Sequence, residues 1–305
     1  MLVNSKKILV RAQAGKYAVP AFNVASIEMM KAVAGAALKL KSPMIIQTSP
    51  GAIKYFGADY FVIAAKHLAK QYPRIPIVLH LDHGTNFELC KRCIYLGYTS
   101  VMIDGSHLPY QENIKLTKKV VEYARKFNVS VEAELGVLAG EEEVISSEKN
   151  IYTDPDQAFD FIKKTGVDSL AIAIGTSHGV CKFKGDPKLD FNRLELINKK
   201  ARIPLVLHGS SIIEKSAVAQ AKKLGLKIKA ARGVPLSAIK KAIKLGVAKI
   251  NFDSDLQLAG YNALLGAIKK KKEEFKLYKL FSPIGPAIQK TAEKRIRLLG
   301  SHNKT

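Results

Sequence analysis

The chain has 305 residues, 47% hydrophobic and 25% charged, enough to bury one large core. Lysine and arginine number 49 against 26 acids, a balance of +23 that favours anionic partners: phosphorylated metabolites, nucleic acid or acidic lipid. Three cysteines argue against a disulfide framework, no run reaches the ~18 apolar residues of a membrane span, and the first residues hold no long apolar signal segment, so a cytoplasmic protein is expected.

Short β-branched runs alternate with longer helical patterns. Strands are predicted over Tyr17–Phe22, Pro43–Thr48, Pro76–Leu81, Thr99–Ile103, Val129–Glu134, Ser169–Ile174, Pro204–His208 and Ala248–Phe252. Ile27 to Leu40 and Gln111 to Phe127 carry apolar residues at three-to-four spacing, as amphipathic helices do. Pro155 after Asp154 marks a helix start, and Ser282-Pro283 opens a last helix ending near Gly300. Eight strands, each followed by a helix, fit a closed (β/α)₈ TIM barrel. One domain over 1–305 is expected, with a C-terminal helical extension from about residue 256 to about 300. No glycine-rich dinucleotide loop follows the first strand, which argues against an open nucleotide-binding sheet. The lysines are spread along the chain, and the one dense run, Lys269 to Lys272, is followed by Glu273 and Glu274. No aromatic-interleaved basic stripe appears. The charge therefore reads as a lysine-rich bias ahead of nucleic-acid binding, which stays as an alternative second function.

The polar residues fall at one end of these strands. Asn23 follows the first, Ser49 the second, Asp82 and His83 the third, and Asp104 the fourth. Glu134 ends the fifth, His178 follows the sixth, His208 ends the seventh, and Asn251 lies at the eighth. Barrel closure gathers such C-terminal ends around one mouth, where barrel enzymes carry their chemistry. His83-Gly84, His178-Gly179 and His208-Gly209 each close an apolar run. Three neutral imidazoles fit a catalytic zinc with one coordination position left open. His80 alternates away from Leu79 and Leu81 inside its strand and reads as structural. Asp82, beside His83, supports that ligand or exchanges a proton. Asp104 and Glu134 offer a carboxylate pair for a second metal position. The glycine-bearing acidic stretch Glu134 to Glu143 reads as a loop able to deliver a carboxylate. The loops His208-Gly209-Ser210-Ser211 and Asn251 to Asp255 follow the last two strands, the common phosphate cradle of barrels, and Lys182 adds a cation. Cys90 and Cys93 share one helical face and read as packing residues.

This constellation resembles the class II, zinc-dependent fructose-bisphosphate aldolases over essentially the whole chain. The pieces that carry it are Ala21-Phe22-Asn23, Leu81-Asp82-His83-Gly84, Ser100 to Ser106, Val131-Glu132-Ala133-Glu134-Leu135-Gly136, Gly175-Thr176-Ser177-His178-Gly179, Leu207 to Ser211 and Lys249 to Asp255. The resemblance implies zinc on His83, His178 and His208, with Asp104 and Glu134 as a second or alternative metal site. It implies Asp82 as the acid/base at the C4 hydroxyl and Glu142 as the loop residue that moves a proton at the dihydroxyacetone phosphate carbon. It implies Gly179, Lys182, Gly209, Ser210, Ser211, Asn251, Asp253 and Ser254 around the phosphate and ketone, a monovalent cation nearby, and Asn23 and Ser49 against the aldehyde half. A homodimer or homotetramer acting on a phosphorylated sugar is implied, without membrane contact. Tagatose 1,6-bisphosphate is the alternative substrate, and Asp253 favours the fructose sugar. The sequence departs from the family at Gln257, where an arginine often holds the distal phosphate; Arg232 is a candidate replacement. It departs also at Pro50 and at Ile212-Ile213-Glu214.

Overall fold

The computed structural model describes residues 1–138, 151–177, 188–228 and 233–305, and the backbone alone of 140–142 and 145–147. Eight parallel strands close into a barrel: β1 (Val19–Asn23), β2 (Met44–Thr48), β3 (Ile77–Gly84), β4 (Ser100–Ile103), β5 (Ser130–Leu135), β8 (Ser169–Ile172), β9 (Leu205–Leu207) and β10 (Val247–Phe252). β1 pairs with both β2 and β10, which shuts the ring. An antiparallel hairpin, β6 (Gly140–Glu142) and β7 (Ile145–Ser147), stands in the connection after β5. The expected (β/α)₈ barrel is what forms, and each predicted barrel strand is present within a few residues of its predicted ends.

Strand alternation divides the side chains into two layers. Phe22, Ile46, Leu79, Val101, Val131, Leu170 and Ile250 face outward into one continuous core with the surrounding helices. Val19, Ala21, Ile45, Val78 and Ala248 fill the lower interior with Ile8, Leu9 and Ala12 from an N-terminal helix, Ser5–Ala14. That helix was not among the sequence expectations. It covers the strands' N-terminal ends, where the Ser5 amide donates to Ser130 Oγ at 3.0 Å and Ser5 Oγ lies 2.8 Å from the same oxygen.

The helices begin where the strands deliver the chain to the mouth. Ser26, Ser49, Asn86, Asp154 and Asp190 each cap a helix by accepting from a backbone N–H of its first turn. The helix Ile27–Leu40 has the bounds its apolar spacing predicts, and Pro155 sits in the first turn of Pro155–Thr165. The last helix, Ile284–Leu299, ends at left-handed Gly300 and packs on Ile27–Leu40 and Ser254–Lys270. Buried Arg295 fastens it: Nε donates to Asp255 Oδ2 at 2.6 Å and Nη2 to the Ile212 carbonyl at 3.1 Å. Among the described residues no helix is long and apolar enough to cross a membrane.

Candidate active site

The same alternation that puts aliphatic residues low in the barrel puts polar ones above them. Gln47, His80, Glu132 and Lys249 point inward at mid-height, and Asn23, Asp82, Asp104, Glu134, His208 and Asn251 form the layer at the mouth.

Consecutive residues of a regular strand face opposite sides, so Asp82 and His83 should not both reach this layer. A register shift between Leu81 and Gly84 on the β4 side breaks the alternation, and His83 takes the left-handed backbone, φ 47°. Both side chains then serve the mouth. Gly84 is required there, because a Cβ would stand 2.5 Å from the Met102 carbonyl oxygen.

Three amides hold the Asp82 carboxylate. Asn23 Nδ2 donates to Oδ2 at 2.7 Å, Gln47 Nε2 to the same oxygen at 3.0 Å, and Asn251 Nδ2 to Oδ1 at 3.1 Å. Gln47 also donates to Asn23 Oδ1 at 2.6 Å, so the amides brace one another. Burial alone would raise the pKa of Asp82, but the fields of His83, Lys249 and His208 together outweigh it, and the group is held ionised, its pKa below the ordinary range. Asn251 Oδ1 and Gln47 Oε1 are buried without a hydrogen-bond partner.

His83 Nδ1 lies 2.8 Å from Asp104 Oδ2. Burial opposes ionisation of Asp104, yet hydrogen bonds from His83 and Ser106 carry it well below the usual carboxylate range. Ionised, it accepts from the imidazole and from the Ser106 amide and hydroxyl, at 3.0 and 2.7 Å. His208 stands with its ring centroid 4.7 Å from that of His83. Its Nδ1 lies 3.3 Å from Glu134 Oε2 and its Nε2 2.9 Å from Glu132 Oε1. Desolvation lowers the basicity of His208, but Glu134 and Glu132 reverse this and push its pKa up to about 9. Glu134 itself is raised by burial and by the neighbouring Asp104 charge.

Among the described residues two overlapping groups of donor atoms result, each within 4.8 Å: Asp82, His83 and His208, and His83, Asp104 and Glu134. Imidazole nitrogens mixed with carboxylate oxygens suit a borderline divalent ion. Asp104 and Glu134, expected as a second metal position, thus share His83 with the first group. His178, Gly179, Lys182 and Arg232 lie outside the described residues, as does the Glu142 side chain, whose backbone closes β6.

The remaining expected contacts ring the mouth. Ser49 caps the helix Pro50–Phe56, accepting from the Ala52 amide at 3.3 Å. Gly209 adopts φ 60°, and a Cβ on it would meet the Ser177 carbonyl oxygen at 2.5 Å. Ser210 Oγ donates to the His208 carbonyl, and Ser211 Oγ accepts from the Asp253 amide at 3.2 Å. Asp253 precedes Ser254 at the head of the helix Ser254–Lys270, and Gln257 Nε2 donates to its Oδ1 at 3.2 Å. Cys90 and Cys93 are buried in the core, their thiols pushed well up by desolvation, Cys93 to about 12. They have no thiolate character, which fits packing and not redox chemistry.

The sequence assigns no site role to Gln47, Glu132 or Lys249, and the Asn23 expected against the substrate also donates to Asp82. A usable signal existed: each sits two residues from a site residue in a buried strand, as in Glu132/Glu134 and Lys249/Asn251.

A family model for "Fructose-bisphosphate aldolase class-II" matches residues 3–304. The chain belongs to the class-II fructose-bisphosphate aldolase family. It is thus a lyase built on the barrel described above. Fructose-bisphosphate aldolase of Helicobacter pylori (strain ATCC 700392 / 26695) is 45% identical over 306 residues, covering 100% of both chains. That of Thermus caldophilus is 43% identical over 305 residues, with 99% of each covered. Among solved structures, the YdjI aldolase from Escherichia coli K12 superposes with a TM-score of 0.80 at 32% identity, covering 100% of this chain and 99% of its own. In this aldolase family member the donor groups and the three-amide Asp82 cradle occupy the C-terminal face of the barrel, as barrel chemistry requires.

Proposed function

We propose that the protein cleaves fructose 1,6-bisphosphate reversibly to dihydroxyacetone phosphate and glyceraldehyde 3-phosphate, with zinc held by His83, His178 and His208. The observation that carries this is the pair of donor groups meeting at His83 beside an Asp82 carboxylate fixed by three amides. The buried imidazoles and carboxylates fit such an ion in type, and the partnerless Asn251 Oδ1 offers an acceptor to a substrate hydroxyl. When bound, zinc supplies Lewis acidity toward the ketone and adjacent hydroxyl oxygens of the sugar. Asp104 and Glu134 form an alternative or second seat around His83.

The side chains divide the proton work. Ionised Asp82 accepts the C4 hydroxyl proton as the C3–C4 bond breaks and C4 becomes the aldehyde carbonyl. The electron pair left on C3 is quenched by a proton, in our reading from Glu142, giving dihydroxyacetone phosphate. Condensation runs the same transfers backwards. Lys249 is committed to Glu132 beneath the site, so imine chemistry has no support from it. The backbone of Gly209, the hydroxyls of Ser210, Ser211 and Ser254, and Gly179, Lys182 and Asp253 are assigned to the phosphate and ketone, with a monovalent cation. Asn23 and Ser49 border the aldehyde half. The relatives' names support the fructose sugar and do not favour tagatose bisphosphate. A homodimer or homotetramer in the cytoplasm completes the reading. It is supported by the exposed apolar residues Phe275, Leu277 and Tyr278, 81%, 63% and 68% exposed.

The test is fructose 1,6-bisphosphate cleavage by purified protein as isolated, after chelation, and after zinc is restored. Activity that disappears and returns is expected. Cleavage that survives exhaustive chelation refutes the metal assignment, and zinc-loaded protein without cleavage refutes the substrate.

A further inference from the structure

One layer below the mouth lies a charged cluster that no substrate contact accounts for. Glu132 and His80 are 2% and 1% exposed, and Lys249 is 0% exposed. Lys249 Nζ donates to both Glu132 oxygens, at 3.0 Å to Oε1 and 2.9 Å to Oε2. Glu132 Oε1 also faces His208 Nε2 at 2.9 Å. His80 stands alongside, its Nε2 4.0 Å from Glu132 Oε2 and its Nδ1 2.8 Å from Ser100 Oγ.

We propose that the Lys249–Glu132 ion pair is a positioning device that fixes the tautomer and ring orientation of His208, presenting Nδ1 to the metal. The inference rests on the reading of His208 as a zinc ligand. An isolated carboxylate buried this deeply costs several kcal/mol, and a lysine gripping both of its oxygens keeps Glu132 ionised there. An ionised carboxylate only accepts, and an ammonium only donates. The hydrogen between His208 and Glu132 therefore belongs to His208 Nε2. With Nε2 carrying that hydrogen, Nδ1 is the nitrogen that can offer a lone pair, and it lies on the side of Glu134 and the His83 ring.

The geometry explains why the device is rigid. Glu132 sits two residues before Glu134 on β5, Lys249 two before Asn251 on β10, and His80 two before Asp82 on β3. Strand periodicity stacks the lower layer directly under the upper one, so three strands fix the pair in place with little freedom to rotate. Lys249 also occupies the lone pairs through which Glu132 would otherwise compete for the metal.

The test uses the full chain with two variants, Glu132→Gln and the charge-neutral double Glu132→Gln/Lys249→Met. Zinc affinity is read by competition with a chelating dye, and folding by circular dichroism and thermal melting of the metal-free form. Both variants are expected to fold and to bind zinc about 10- to 100-fold more weakly than wild type. A long-range ¹H–¹⁵N spectrum of histidine-labelled wild type gives an independent signature. In the zinc-loaded protein the His208 proton is expected on Nε2 and the metal-shifted nitrogen at Nδ1. Zinc affinity within threefold of wild type in a folded variant, or a metal-shifted Nε2, overturns the proposal. If neither variant folds, the wild-type spectrum decides alone. Wild-type protein that takes up no zinc refutes the metal reading itself, a result distinct from weakened variants.

Discussion

Replacing Asp82 by asparagine separates proton transfer from metal binding. The carboxylate accepts two amide hydrogens at Oδ2 and one at Oδ1. In Asp82→Asn the new carbonyl oxygen can keep the bonds from Asn23 and Gln47. The new NH₂ then confronts Asn251 Nδ2, a donor against a donor. Asn251 Oδ1 has no partner, so a half-turn of that amide turns the conflict into a hydrogen bond. All three contacts survive with loss only of their ionic character, about 1 kcal/mol each. Release from burying a charge offsets part of this, leaving a net destabilisation of about 2 kcal/mol or less. The chemistry fares worse, because the neutral amide cannot accept the C4 proton. Loss of a positioned general base costs ~10²–10⁴ in rate, and we expect the middle of that range, about 4 kcal/mol in the barrier. The assay is kcat for fructose 1,6-bisphosphate cleavage, with zinc content and melting temperature measured on the same preparation. A folded variant retaining kcat within tenfold of wild type refutes the role of Asp82 as base. A folded variant that loses its zinc shows instead that Asp82 is needed to hold the metal.

Three further outcomes follow from the same structure. His208 has its pKa raised from 6.5 to about 9 in the folded, metal-free chain, so its contribution to stability is complete below about pH 6.5 and is lost as pH rises through 9. Chelated protein should melt at progressively lower temperature across that window, and His208→Gln should flatten the profile; an unchanged slope in the variant would assign the effect elsewhere. Gly209→Ala forces a Cβ to 2.5 Å from the Ser177 carbonyl oxygen in a left-handed conformation that alone costs about 1–2 kcal/mol, so a melting point several degrees lower is expected, and a neutral result contradicts the close approach. Arg295→Met strands Asp255 in the interface of the last helix and should cost about 3–5 kcal/mol in urea unfolding, most of it recovered by adding Asp255→Leu; no recovery would mean the ion pair is not what fastens that helix.

How far the sequence discloses this molecule depends on which physical signal each part leaves. The barrel strands are legible because a strand buried on both faces reads as a short apolar run bounded by turn residues. The mouth residues are legible because chemistry sits where those runs end. The N-terminal helix Ser5–Ala14 is not, because its burial is set by closing the barrel floor and its own pattern is mixed, with Lys6, Lys7 and Arg11 among Ile8, Leu9 and Ala12. The bulge at His83 is likewise invisible: alternation predicts one of Asp82 and His83 facing away, and only the register against β4 shows how both reach the mouth. The layer under the mouth is an intermediate case. Gln47, His80, Glu132 and Lys249 interrupt apolar strands, and a polar group in such a place is tolerated only with a buried partner. The sequence shows that partners must exist but not which strand supplies them. Closure supplies them across the barrel axis: Lys249 of β10 reaches Glu132 of β5, 117 residues away. Gln47 of β2 reaches Asp82 on the neighbouring strand β3; of the three amides that orient Asp82, the sequence places Asn23 and Asn251 at the mouth and leaves Gln47 unassigned. A prediction from strand ends therefore finds the mouth layer, Asn23 and Asn251 included, before the layer beneath it. His80, Glu132 and Lys249 of that lower layer occupy the same strands as Asp82, Glu134 and Asn251, two residues earlier.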